Sequence, residues 1–350
     1  MKRELSMIYL YLTKGCNLAC KHCWIDSENA TEILAFECIE KVCKEAKELG
    51  CTSIKLTGGE PFLHPEIERI LQLLCDYEFA VVIESNGVLI RQSHVDILKS
   101  LPGLAISISI DSHHPTVHDV IRGQKGSFEK SIQAVKLLVS NQISPQIIMS
   151  LMAENREDIE EMALLSTSLG ANSLKINLIE PTHRGKVLHE NGETLGVETL
   201  IAIGQDVEER ISKKIPIPIY YSQPVAFFPL SKLATNMVGY CGIKSILGVI
   251  SSGEYALCGI GSHVKELCFG HVMEKTLSQA WQSPLLLEIY EDIPSKFEGV
   301  CQRCLLKGVC LGSCLAQNYY RNATLFAPYW FCEEAEAKGL FPKERQYEVL

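Results

Sequence analysis

Six short segments in the first two thirds of the chain, residues 8–12, 53–57, 80–84, 105–110, 146–151 and 173–178, concentrate Ile, Val and Leu at the length of β-strands. Between them, residues 36–49, 66–75, 128–139 and 158–169 place apolar side chains at three- and four-residue steps, which puts them on one face of a helix. Strand, helix, strand at this spacing pairs neighbouring strands in parallel through right-handed crossovers. The pattern therefore predicts an α/β fold, either an open doubly wound sheet or a barrel. Six such units fall short of the eight of a standard closed barrel. A further helix is predicted at 198–211, and at 215–221 Pro alternates with Ile before the regular pattern ends. A boundary near residue 225 divides the chain into 1–225 and 226–350. Residues 333–350 are charged and read as a surface helix or tail.

The length of 350 residues allows two domains, or one large domain with an appendage. With 47% hydrophobic and 21% charged residues, extensive disorder is excluded. A net charge of -9 gives no attraction to nucleic acid or an anionic membrane, and neither is expected as a partner. No long apolar run or export signal is present, so the chain reads as cytoplasmic. The 15 cysteines change the picture most. Their number is odd, and in a reducing compartment such thiols point to metal binding or catalysis.

Cys16, Cys20 and Cys23 follow the first strand, where loops at strand C-terminal ends build active sites. Three thiolates leave one iron of a 4Fe-4S cube without a protein ligand, open to substrate. The competing reading is zinc, with His22 as fourth ligand. The segment 16–23, Cys-Asn-Leu-Ala-Cys-Lys-His-Cys, resembles the signature of the radical S-adenosylmethionine superfamily. Thr57-Gly58-Gly59-Glu60-Pro61 after the second strand resembles that family's GGEP motif, although a lone turn would explain the same residues. The resemblance implies a partial (β/α)6 parallel barrel. It also implies a cluster on the three cysteines, with S-adenosylmethionine contacted by His22, Gly58, Gly59, Glu60, Ser85, Ser109 and Arg122. An ordinary Asn-Gly turn explains residues 85–87 equally well, and Arg122 could equally serve a salt bridge. The chemistry implied is reductive cleavage of S-adenosylmethionine to a 5'-deoxyadenosyl radical, which abstracts hydrogen from a substrate.

From residue 241 the spacing is Cys241-x11-Gly253-x4-Cys258, then Cys301-x2-Cys304-x5-Cys310-x3-Cys314, then Cys332. This resembles the SPASM extension of radical S-adenosylmethionine enzymes, a small C-terminal iron-sulfur domain. Carried over by position, Cys241, Cys258 and Cys314 hold auxiliary cluster I, and Cys301, Cys304, Cys310 and Cys332 hold auxiliary cluster II. The expectation is thus three 4Fe-4S clusters in all. A zinc ribbon is the alternative, but only Cys301 and Cys304 supply a C-x2-C pair for it. Residues 233–240 contain no cysteine, so auxiliary cluster I has an open iron or is closed by Cys268. Cys268 also reads as a hydrogen-donating thiol or as packing. Cys38, Cys43, Cys51 and Cys75 read as core.

By this resemblance the chain is a peptide-modifying enzyme that makes crosslinks, epimerises or excises. Small-molecule or tetrapyrrole tailoring is the alternative. Sulfatase maturation is disfavoured because Gly259 stands where those enzymes place an aspartate, unless Glu254 or Glu266 substitutes. A non-catalytic electron relay is argued against by the three-cysteine ligation. With few residues before the first strand, a leader peptide would need a separate binding protein or an exposed strand edge. The electron donor is expected to be a flavodoxin or ferredoxin. His113, His114, Trp24, Tyr319, Tyr320, Tyr329 and Trp330 are assigned no chemical role.

Overall fold

Residues 3–25, 31–234 and 241–347 are described by the computed structural model, in which ten strands form one sheet. The strands are β1 (Met7–Tyr11), β2 (Ser53–Thr57), β3 (Ala80–Ser85), β4 (Ala105–Ser109), β5 (Gln146–Leu151), β6 (Ser173–Leu178), β7 (Ile219–Tyr221), β8 (Ile246–Val249), β9 (Glu254–Ala256) and β10 (Cys268–His271). Their order is β10-β9-β8-β1-β2-β3-β4-β5-β6-β7. The six predicted strands are β1 to β6, all parallel, as the crossover spacing requires. The seventh parallel strand, β7, was not predicted as one. It is only three residues long and follows Pro216 and Pro218, which break the pattern.

Alternation along β1 to β3 assigns the two faces. Ile8, Leu10, Ile54, Leu56, Val81 and Ile83 are fully buried beneath the helical layer. Tyr9, Lys55 and Glu84 take the intervening positions. Lys55 Nζ lies 2.8 Å from Glu84 Oε1 and sits over the Tyr9 ring. The covering helices keep the predicted spacing: Phe36–Glu48 buries Phe36, Ile39, Val42, Cys43 and Ala46. Cys38, Cys43 and Cys51 are core residues as expected, while Cys75 is half-buried with its thiol 3.3 Å from the Ser100 carbonyl.

Past residue 225 the same sheet continues. β8 pairs with β1 in parallel, Met7 opposite Ile246 and Leu10 opposite Val249, and β9 and β10 extend it antiparallel. One hydrophobic core joins residues from β1 to Trp330 and Phe331. The helix at 198–211 is found as Val197–Asp206 running into a π-helical turn, Val207–Ile211. The charged segment from 333 begins inside the helix Trp330–Ala337, whose buried residues Trp330, Phe331 and Cys332 precede it; from 333 to 347 only Ala335 and Phe341 are buried. No helix among the described residues is long and apolar enough to cross a membrane.

Candidate functional site

The loop carrying Cys16, Cys20 and Cys23 follows β1 and is clasped by backbone from the loop after β2 and from the C-terminal end of the helix Pro115–Arg122. Gly59 N–H donates to the Thr13 carbonyl at 2.6 Å and Glu60 N–H to that of Gly15 at 2.9 Å. On the other side, the N–H groups of Ala19 and Lys21 donate to the carbonyls of Arg122 and Ile121, at 3.1 and 2.9 Å. Approach this close admits no side chain. A Cβ on Gly59 would lie 1.9 Å from the Gly15 carbonyl oxygen, and one on Gly123 2.5 Å from that of Ala19. The Gly58-Gly59-Glu60 motif thus builds the cysteine loop.

Its side chains brace the same loop. The Glu60 carboxylate accepts from Ser85 Oγ and Asn86 N–H, both at 2.8 Å, and from Phe62 N–H at 3.1 Å. Burial nevertheless pushes its pKa up to about 6. Ser85 Oγ also accepts from Gly87 N–H, so both polar side chains tie the β2 and β3 loops together. Asn86 Nδ2 donates to Asn17 Oδ1 at 2.9 Å and lies 3.8 Å from Cys16 Sγ. Arg122 forms a two-point pair with the wholly buried Asp111, at 2.6 and 2.9 Å, and its Nη1 reaches Cys20 Sγ at 3.7 Å. Asp111 also accepts from Ser150 N–H, which ties the pair to β5. Ser109, half-buried at the end of β4, makes no side-chain hydrogen bond among the described residues. His22 lines the adjoining cavity, and burial holds its pKa down to about 4, so the imidazole is neutral.

The donor set can be tested against the two metals. Zinc bonds sulfur at about 2.3 Å, so tetrahedral ligands would stand roughly 3.8 Å apart. Among the described residues, the only three candidate ligands with donor atoms all within 4.8 Å of one another are His113, His114 and Asp158. The cysteines are spread wider than a single tetrahedral ion draws them. Three sulfurs without a carboxylate or imidazole closing the set fit an iron-sulfur cluster with one open position. Burial pushes the Cys16 thiol up to about 12, so it would stay protonated at neutral pH unless a cation replaced the proton.

Cys301, Cys304, Cys310 and Cys332 line one small void with Phe297 and Phe341. The thiol of Cys332 is pushed up by burial and by the other three sulfurs beside it. Cys241, Cys258 and Cys314 instead line a second cavity of about 420 Å³, which His22 and Trp24 also line, so it reaches the first cysteine loop. Four of the seven C-terminal cysteines thus line the small void and the other three the larger cavity. Cys268 lies outside the cavity's lining, with its sulfur 3.5 Å from the Gly261 carbonyl. Residues 235–240, part of the cysteine-free stretch before Cys241, lie outside the described residues.

Gly259 has a steric reason. Its N–H donates to Tyr11 Oη at 2.7 Å, and a Cβ there would come within 2.4 Å of the Trp24 ring and 2.6 Å of the Tyr11 ring. Neither Glu254 nor Glu266 lines the cavity; the carboxylate that does is Glu180, which the sequence analysis did not single out. Its place just past β6, at a strand C-terminal end, was the available signal. Tyr329 and Trp330, assigned no chemical role from sequence, donate to Glu180 at 2.7 and 3.0 Å.

The family described as the radical SAM superfamily matches residues 10–165. The subtilosin biosynthesis protein AlbA of Bacillus subtilis is 30% identical over 320 residues, spanning 89% of this chain and 67% of that protein. An AdoMet-dependent heme synthase of Methanosarcina barkeri is 26% identical, covering 88% of this chain and 90% of that protein. Among solved structures, Streptococcus suis SuiB bound to the precursor peptide SuiA superposes with a TM-score of 0.76 at 17% identity. That match covers 95% of this chain and 76% of SuiB. The chain belongs to the radical S-adenosylmethionine superfamily and has its open, partial-barrel fold. Its cofactors are accordingly S-adenosylmethionine and a 4Fe-4S cluster.

Proposed function

We propose that this enzyme modifies a peptide, by crosslinking, epimerisation or excision, and that Cys16, Cys20 and Cys23 hold the cluster that binds S-adenosylmethionine. The observation that carries this reading is the cavity of about 420 Å³ shared by His22 and Trp24 beside that loop and by Cys241, Cys258 and Cys314 opposite. When bound, the cluster and S-adenosylmethionine supply a hydrogen-abstracting 5'-deoxyadenosyl radical. The chain's own residues do the rest. Gly58, Gly59 and Gly123 let three loops close around the cysteines, the Arg122–Asp111 pair fixes the loop's far side, and the rings of Tyr11 and Trp24 form cavity wall. His22 and Ser109 are the proposed side-chain contacts to S-adenosylmethionine, while Glu60, Ser85 and Arg122 shape its site through the contacts described above.

Two auxiliary 4Fe-4S clusters complete the proposal, one on Cys241, Cys258 and Cys314, the other on Cys301, Cys304, Cys310 and Cys332. The AlbA relative, a bacteriocin biosynthesis protein, and the SuiB fold neighbour with its precursor peptide support a peptide substrate. A flavodoxin or ferredoxin would supply electrons, a separate protein would present the leader, and the setting would be cytoplasmic.

The test is anaerobic co-expression with any short peptide that a reading frame neighbouring the gene is found to encode, followed by mass spectrometry. Loss of a hydrogen pair means oxidation or crosslinking, unchanged mass with deuterium uptake means epimerisation, and a large loss means excision. Iron analysis should give about twelve irons per chain. A peptide left unaltered and without deuterium by an enzyme that releases 5'-deoxyadenosine would overturn the proposal.

A further inference from the structure

Among its lining residues the cavity has one carboxylate, Glu180. Its two oxygens are held from the C-terminal part of the chain, Oε1 by the Tyr329 hydroxyl at 2.7 Å and Oε2 by the Trp330 indole N–H at 3.0 Å. Both donors are neutral, and no salt bridge to Glu180 is found among the described residues. The carboxylate is half-buried, and the guanidinium of Arg321 acts on it without forming an ion pair; so placed it is costly to keep, and a fold that only needed packing here would do better with an apolar side chain. The helix that supplies Trp330 is anchored in the core, so the carboxylate is held in a fixed orientation. Across the cavity, the rings of Tyr11 and Trp24 exclude any side chain from position 259.

We propose that Glu180 is the proton acceptor of the reaction, taking the proton from the reacting residue of the peptide. The inference deepens the peptide-modifying reading and rests on it. It names the substrate class as peptides whose reacting residue carries an S–H, O–H or N–H near the C–H that is attacked. In this step the heteroatom–hydrogen bond breaks, the electron pair stays on sulfur, oxygen or nitrogen, and an O–H bond forms on the carboxylate. No electron is exchanged. Burial pushes the Glu180 pKa up to about 7, and a proton acceptor works best when its pKa lies near the working pH.

The test uses the iron-loaded enzyme and candidate short peptides, taken from reading frames found beside its gene and carrying such a residue, measuring 5'-deoxyadenosine and modified peptide in the same samples. Glu180→Gln preserves the shape of the side chain. It should keep its iron and release 5'-deoxyadenosine within about twofold of the parent, while modified peptide per 5'-deoxyadenosine falls about a hundredfold. Glu180→Asp should recover part of that loss. Tyr329→Phe, which removes one donor but leaves the carboxylate, should keep most of the coupling. A Glu180→Gln enzyme that couples as the parent does would overturn the inference. So would parallel loss of iron, 5'-deoxyadenosine and product, the mark of a structural role. A parent enzyme that releases 5'-deoxyadenosine but leaves every such peptide untouched would remove the peptide reading itself, a failure visible before any variant is made.

Discussion

The loop carrying Cys16, Cys20 and Cys23 is bound on both sides by backbone hydrogen bonds, to the loop after β2 and to the end of the helix Pro115–Arg122, beside glycines that admit no side chain. The cage of Cys301, Cys304, Cys310 and Cys332 is built differently. Its cysteines come from short helices, Gly299–Arg303, Lys307–Cys310 and Trp330–Ala337, and from the turn after the first, and they face a void. The first site is shaped by the barrel before any metal arrives. The second would rely much more on the cluster proposed to fill it. Free energy of metal binding should accordingly appear as folding free energy in the second region and as affinity in the first.

The largest effect expected is that of iron removal. Structural metal sites contribute roughly 10 kcal/mol to small domains. Chelation should strip amide hydrogen-exchange protection from residues 299–347 while β1 to β6 keep theirs. Uniform loss along the chain would erase the contrast. Next comes the barrel's own brace: Asp111→Asn leaves Arg122 buried beside a neutral partner, at a cost of about 3–5 kcal/mol, read as a lower urea midpoint. Gly59→Ala should cost about 1–3 kcal/mol by forcing a methyl into the Gly15 carbonyl. Iron should fall by about four per chain while the C-terminal region is unchanged. The smallest effect belongs to Cys268→Ser, less than about 1 kcal/mol with iron content intact. A loss of about four irons there would make Cys268 a ligand after all.

What could be read in advance divides along the same line. The strands β1 to β6 and their helices announce themselves because period-two and period-3.6 burial write a repeating pattern. β7 carries too few residues for one, and in the region of β8 to β10 the chain turns at Gly253, Gly259 and Gly261, so its apolar residues serve a shared sheet without local periodicity. The cysteine sets came from resemblance. Spacing alone would group Cys314 with Cys310, four residues away, whereas the fold places it across the cavity with Cys241 and Cys258. Glu180 was invisible because one acidic residue after a strand has no pattern; its meaning comes from Tyr329 and Trp330, about 150 positions later.

The pairing of β8 with β1 sets a limit on dissecting the molecule. A truncation near residue 225 would take away β8 and turn the central strand β1 into a sheet margin with unsatisfied amides and carbonyls. The severed N-terminal piece should self-associate through that margin, and the two halves, mixed as separate polypeptides, should restore each other's solubility by rejoining there.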